Sequence, residues 1–309
     1  MLDGSKKTLL QRVGSGNIIR RFEKTPYPCK TSDVVCPHFL ELAWSWGCPY
    51  NCAWCYLKGT YRFFEKDHLG RVQMHFKDRG EITEALTAFL RLDIPSEILN
   101  AGELSDALMG ETQKPSFSKW LMRYMDGSRH KVLFLTKGTN VKNFLENEWQ
   151  ENAIMSWSIN AEKVARKWEH LAPTPTERLN AARKVYEAGY EVRFRMDPMV
   201  GVEGWQENYA RLIDEVFKRL TPERITLGSL RGLASTVAHV ADRSWIEYLD
   251  ESSSWGRKPN FEKRLAYYDF VISYLKQYGF GKIGICKETS AMWQNLNLSF
   301  KNIMCNCVA

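Results

Sequence analysis

Six short apolar runs recur along the chain at spacings that leave room for one helix each: FLELAWSW (39–46), SEILNAGEL (96–104), KVLFLTK (131–137), IMSWSIN (154–160), YEVRFRMDPMV (190–200) and RITLGSL (224–230). Between them lie segments with helical periodicity near 81–92, 116–126, 141–149, 174–188 and 205–219. Continuous apolar strands of this length are those buried on both faces, and parallel neighbours need a helical crossover. The rhythm therefore predicts an α/β protein, a partial (β/α)6 barrel, with chemistry gathered at the carboxyl ends of its strands. Residues 236–261 break the pattern. They are polar, Ser-rich and dotted with aromatics, and are predicted to be an insert that contacts substrate. A helix near 262–278 and the strand GKIGICKE (281–288) close the unit, followed by a Cys-containing extension to 309. Residues 1–35 read as an irregular, basic arm, leaving 36–235 for the barrel.

With 309 residues, 44% of them hydrophobic, the chain has enough apolar side chain for one large domain. No apolar run approaches the roughly 18 residues a membrane span needs, and the first residues lack a signal-peptide core, so a cytoplasmic protein without a membrane partner is expected. The net charge of +7 is dispersed and favours a polyanionic partner only weakly.

Eight cysteines, at 29, 36, 48, 52, 55, 286, 305 and 307, cluster instead of pairing across the chain, which points to metal binding in a reducing compartment. Cys48, Cys52 and Cys55 follow C-x3-C-x2-C. That spacing wraps three thiolates around a cubane iron–sulfur cluster and leaves the fourth iron without a protein ligand. The competing reading is a zinc site completed by Cys36, Cys29 or His38. Trp54, just before the third cysteine, is read either as simple packing or, on a cluster loop, as a wall for the open iron.

CPYNCAWC resembles the signature of the radical S-adenosylmethionine superfamily. The resemblance implies a [4Fe-4S] cluster whose open iron chelates S-adenosyl-L-methionine, a 5′-deoxyadenosyl radical as the reactive species, and an external electron donor such as flavodoxin or ferredoxin. Further along, CYL, GELSDAL, FLTKGTN, WSINAE, RMDP and CKET resemble, in order, the spore photoproduct lyase branch, over roughly residues 40–305. The branch implies DNA as partner and a thymine-derived base as target. Carried over, Ser105 and Asp106 line the cofactor's methionyl end and the substrate, Lys137 pairs with the methionyl carboxylate, and Ser158 and Asn160 hydrogen-bond the cofactor. Read from the residues alone, the alternative for Lys137 is a solvated lysine after a strand, and SINAE is also a helix-capping sequence. Arg195 is expected as the partner of Asp197, facing the cofactor or serving the fold.

One departure matters. The lyases carry a hydrogen-donating cysteine near the segment GELSDAL resembles, and here Glu103 stands in its place. A carboxylate O–H bond is too strong to donate a hydrogen atom. AGE (101–103) instead resembles the superfamily motif whose carboxylate binds the cofactor's ammonium. Tyr56 persists where the lyases use a tyrosine near substrate. The expected catalytic set is Tyr56, Glu103, Ser105 and Asp106, with Trp54, Glu103, Ser105, Lys137, Ser158, Asn160 and Arg195 around the cofactor. Without a donor thiol, hydrogen returns from 5′-deoxyadenosine, as in an isomerase, or from Tyr56 or Cys305/Cys307. The terminal C-x-C is read three ways: a donor pair, a poorly ordered tail, or part of a second site. Cys286 is read as a buried strand residue. The function expected is rearrangement of a modified thymine or lesion processing in DNA. A small-molecule or peptide substrate, and a non-enzymatic iron–sulfur or zinc regulator, are the alternatives, separated by salt-dependent DNA binding and by cleavage of S-adenosylmethionine. The oligomeric state is left open.

Overall fold

The computed structural model describes residues 9–22, 30–253, 255–300 and 303–309. One eight-stranded sheet runs β1 (Ile19–Arg21), β2 (Leu40–Leu42), β3 (Ile98–Asn100), β4 (Lys131–Thr136), β5 (Ala153–Ser158), β6 (Glu191–Met199), β7 (Arg224–Ser229) and β8 (Ile283–Ile285) in spatial as well as chain order. The pairs from β2 to β8 are parallel, whereas β1 lies antiparallel on β2 with Arg20 opposite Glu41. The six expected barrel strands are β2 to β7, and GKIGICKE, expected as the strand that closes the unit, adds a seventh parallel strand at the edge beside β7. The stretch read as an irregular arm likewise supplies an edge strand.

Helices cover the outer face: α1 (Arg79–Leu90), α2 (Phe117–Met125), α3 (Lys142–Leu145), α4 (Glu162–Trp168), α5 (Pro175–Glu187), α6 (Trp205–Phe217) and α7 (Phe261–Gln277). Their starts are written locally. Thr174 and Glu177 form a reciprocal capping box with Pro175 in the first turn of α5, and the side chains of Asp78, Ser116 and Asn260 cap α1, α2 and α7. Only Lys142–Leu145 of the expected 141–149 segment is helical.

The strands obey a period of two that sorts their side chains by chemistry. Val192, Phe194 and Met196 of β6, Ile225 and Leu227 of β7, and Met155 and Trp157 of β5 belong to the continuous core. Alternate positions carry Ser156, Arg193, Arg195, Arg224 and Thr226, all but Arg195 buried. Polar groups this deep need partners, and the segment 303–309 provides them. Asn306 Nδ2 donates to Ser156 Oγ (2.8 Å) and to the Phe194 carbonyl (3.1 Å), while Thr226 Oγ1 donates to Asn306 Oδ1 (2.6 Å). Arg193 and Arg224 bind carbonyls of the same segment. The tail is thus a packed plug across β5, β6 and β7. Cys305 and Cys307 are buried in it, beside Phe22, Cys36 and Phe39.

The segment expected as an insert is also built in. It begins inside the helix Ala234–His239 and contains the hairpin Glu251–Ser253/Gly256–Lys258, with Trp245 fully buried. Among the described residues no helix is long and apolar enough to cross a membrane.

Candidate active site

A cavity of about 660 Å³ opens at the carboxyl ends of the strands. That is large enough for a cofactor and part of a substrate. Every strand from β2 to β8, or the loop that follows it, contributes to its wall: the cysteine loop after β2, Gly102–Asp106 after β3, Thr136 and Lys137 at β4, Ser158 of β5, Arg195 and Asp197 of β6, Arg231 after β7 and Lys287 after β8.

Cys48, Cys52 and Cys55 all line this cavity. Their loop is tied to the scaffold rather than draped over it. Asn51–Cys52 pairs antiparallel with Glu169–His170 just beyond α4, Ala53 N–H donates to the Trp168 carbonyl (2.7 Å), and the rings of Trp54 and Trp168 lie 5.5 Å apart. Burial pushes all three thiols up, Cys52 to about 12. Iron bound to them would supply the positive charge that holds thiolates in such a place. Among the described residues no group of three or more His, Cys, Asp or Glu is arranged around a single ion. Three thiols on one cavity wall fit a cluster that takes one thiolate per corner. Of the fourth ligands the zinc alternative would recruit, Cys36 packs with the plug and neither it nor His38 lines the cavity, while Cys29 lies outside the described residues.

Lys137 is not a solvated lysine. Its ammonium lies 3.5 Å from Glu169, whose other oxygen is 2.6 Å from Arg178, and Glu169 and Arg178 are almost fully buried. Burial opposes charge on both Lys137 and Glu169, yet the pairing wins: Lys137 is held above its ordinary value and Glu169 below. Neither Glu169 nor Arg178 stood out in the sequence, since nothing local signals that a carboxylate closing one helix meets an arginine of the next.

Asp106 serves mainly as a clamp. It accepts from Thr136 Oγ1 (2.7 Å), Lys137 N (2.8 Å) and Leu108 N (3.0 Å), fixing the β3 loop to β4. Burial pushes its carboxyl up, against those hydrogen bonds. Ser105 shares a hydrogen bond with Ser45 (2.7 Å), and Tyr56 at the rim donates to the Glu103 carbonyl, leaving the Glu103 carboxylate beside the cavity. A side chain at Gly102 would strike the Leu135 carbonyl at 2.3 Å, so only glycine lets the Glu103 loop lie this close to β4. Ser158 lines the cavity, and its carbonyl accepts from Arg178.

Asn160 is the exception among the expected residues. Its amide donates to the Pro198 carbonyl (2.8 Å), and its oxygen accepts from Tyr209 (3.0 Å) and Ala161 N (2.9 Å). It is fully buried and lies off the cavity wall, committed to joining β5, β6 and α6. The capping alternative also fails for this pair, because α4 starts from Ala161 without a side-chain cap. Arg195 donates to Asp197 (3.2 Å) and contacts Cys286 Sγ (3.2 Å), while Arg231, unmarked in the sequence, binds both Asp197 oxygens at 2.7 and 2.8 Å. Cys286, as expected, is buried at the end of β8. Among the described cysteines, only the loop trio lines the cavity.

A parallel partial barrel with three convergent thiols after its first parallel strand is the architecture of the radical S-adenosylmethionine class. A solved spore photoproduct lyase complexed with dinucleoside spore photoproduct superposes with a TM-score of 0.65 at 18% identity, covering 85% of this chain and 78% of that one. Methylornithine synthase superposes at 0.50 with 12% identity, covering 84% and 68%. The spore photoproduct lyase family model matches residues 34–229, and the chain belongs to that family. Curated spore photoproduct lyases of Geobacillus sp. and Bacillus subtilis are 26% and 24% identical over 184 and 174 residues, 56% and 55% of this chain. That of Clostridium acetobutylicum is 22% identical over 176 residues, 56% of this chain. The chain spans about half the length of these relatives, 50%, 48% and 50% respectively.

Proposed function

We propose that the protein is a radical S-adenosylmethionine enzyme that rearranges a modified thymine in DNA. The observation that carries this reading is the composition of one cavity: three cluster-type thiols, a carboxylate at 103, and no other described cysteine on the wall. Cys48, Cys52 and Cys55 would hold a [4Fe-4S] cluster. Glu103 would take the ammonium of S-adenosylmethionine and Lys137 its carboxylate, with Trp54 and Ser105 beside them. Ser158 and its register partner Arg195 would contribute contacts from β5 and β6. When bound, the pair supplies a 5′-deoxyadenosyl radical able to abstract a hydrogen atom from substrate. Tyr56, at the rim, would orient the base through its ring and hydroxyl. The electron would come from a donor such as flavodoxin or ferredoxin.

The absence of a donor thiol from the described wall favours return of the same hydrogen to product. The test is anaerobic turnover of the reconstituted protein on DNA carrying thymines modified at C5, with deuterium at the abstracted position in ordinary water. Label kept in product, with less than one 5′-deoxyadenosine per turnover, is expected. Unlabelled product with one 5′-deoxyadenosine each, or efficient repair of dinucleoside spore photoproduct, would overturn the isomerase reading. Lack of any S-adenosylmethionine cleavage would overturn the enzyme reading altogether.

A further inference from the structure

The β6–β8 part of the cavity wall carries three cations, Arg195, Arg231 and Lys287, around one carboxylate, Asp197. Asp197 is divided between the two guanidiniums. Among the described residues Lys287 has no carboxylate within ion-pair distance, although it lines the same cavity as Glu103, whose charge favours its ammonium from farther off. Its ammonium sits between two aromatic rings, 4.9 Å from the Phe22 centroid and 4.7 Å from that of Trp255. Such a clamp strips water from the ammonium while keeping it charged, which strengthens its attraction for an incoming anion.

The backbone is shaped for this presentation. Lys287 has φ of +52°, a left-handed conformation that costs a side-chain-bearing residue energy and persists only where surrounding structure imposes it. Here the Lys258 ammonium donates to the Lys287 carbonyl (2.8 Å), and Lys258 is itself fully buried and 3.6 Å from buried Glu288. A buried ion pair thus holds the turn that directs Lys287 into the cavity.

We propose that Lys287 is the receptor for an oxyanion on the substrate, either a carboxylate carried by the base substituent or the backbone phosphate beside the target. The assignment rests on the cavity being a thymine-base site, and it adds a charge requirement to that reading. A neutral, unmodified thymine nucleoside would give the Lys287 ammonium no direct partner; an anionic one would gain a charge-assisted hydrogen bond.

The test is calorimetric binding to the reconstituted protein with S-adenosylmethionine, using two matched pairs of probes: thymidine against thymidine 5′-monophosphate, and 5-carbamoylmethyl- against 5-carboxymethyl-2′-deoxyuridine. The wild type is expected to favour the anionic member of one pair about tenfold or more, and the pair that responds identifies the source of the oxyanion. Lys287→Met should abolish the preference and Lys287→Arg should retain it, with S-adenosylmethionine affinity unchanged in both. Nucleosides that bind without charge preference, or a preference that survives in Lys287→Met, would overturn this inference and leave the base-site reading intact. Failure of every nucleoside to bind the wild type would overturn both. Thermal unfolding of Lys287→Met separates a loss of recognition from a loss of fold, because a role confined to latching the hairpin lowers stability and leaves the preference in place.

Discussion

Asn306→Ala is expected to destabilise the protein far more than its place near the end of the segment 303–309 suggests. The side chain makes three hydrogen bonds, to Ser156 Oγ, Thr226 Oγ1 and the Phe194 carbonyl, and Asn306, Ser156 and Thr226 are each 0% exposed. Alanine leaves two buried hydroxyls and a carbonyl short of a partner, at about 1–3 kcal/mol for each group stranded. Thr226 still accepts from the Asn306 backbone N–H (2.9 Å), so its share falls at the low end. The sum is about 3 kcal/mol, equivalent to a fall in Tm of roughly 5 °C or more for a chain of this size. Paired urea titrations followed by tryptophan fluorescence measure it. A double-mutant cycle with Thr226→Val should show coupling of about 1 kcal/mol. A loss below about 1 kcal/mol, or strict additivity, would refute the reasoning that the tail plugs the barrel.

Replacing Cys48, Cys52 and Cys55 together by Ala should abolish the brown iron–sulfur chromophore; retention of about four irons per chain would implicate other cysteines. Lys137→Ala should weaken S-adenosylmethionine binding more than Lys137→Arg, by roughly 2–5 kcal/mol against less, and equal calorimetric affinities for wild type and the Ala variant would remove Lys137 from the site. Burial alone would raise the carboxyl of Asp197, but Arg231 and Arg195 outweigh it and bring it from 3.8 to about 2. Its folded value is depressed, so its contribution is full above the unfolded value and is lost as pH falls through the folded one, a change of about 2 kcal/mol. The stability difference between wild type and Asp197→Asn should therefore hold steady at pH 5–7 and shrink below about pH 4; a difference that stays constant into acid would contradict the assignment.

The parts legible in the sequence were those encoded locally. The βα rhythm fixed strand order because each crossover is short and sequential, and the C-x3-C-x2-C loop announced its chemistry through spacing alone. Lys137 and Ser158 could be placed since residues ending a parallel strand face the same rim. What escaped depended on partners distant in sequence. Asn160 stands two residues from Ser158, yet Tyr209 and Pro198 draw its side chain into the fold. Glu169 and Arg178 acquire meaning only when α4 and α5 are packed. Lys287 looked like any lysine after a strand until Phe22 and Trp255, 265 and 32 residues away by the numbering, came to either side of it. The tail was ambiguous for the same reason: nothing in FKNIMCNCVA says that β5, β6 and β7 have left polar vacancies for it.

Those vacancies bear on how such a barrel can be recombined. Ser156 and Thr226 turn hydroxyls, and Arg193 and Arg224 guanidiniums, toward a segment that lies outside the βα repeats. Strands and plug are consequently one heritable unit despite their separation along the gene. A chimera that takes its strands from this chain and its C-terminal segment from a relative, or the reverse, would inherit mismatched polar surfaces even if every βα unit were intact. Shuffling between family members should therefore tolerate crossovers in the helices and loops, provided that residues 303–309 travel with β5, β6 and β7.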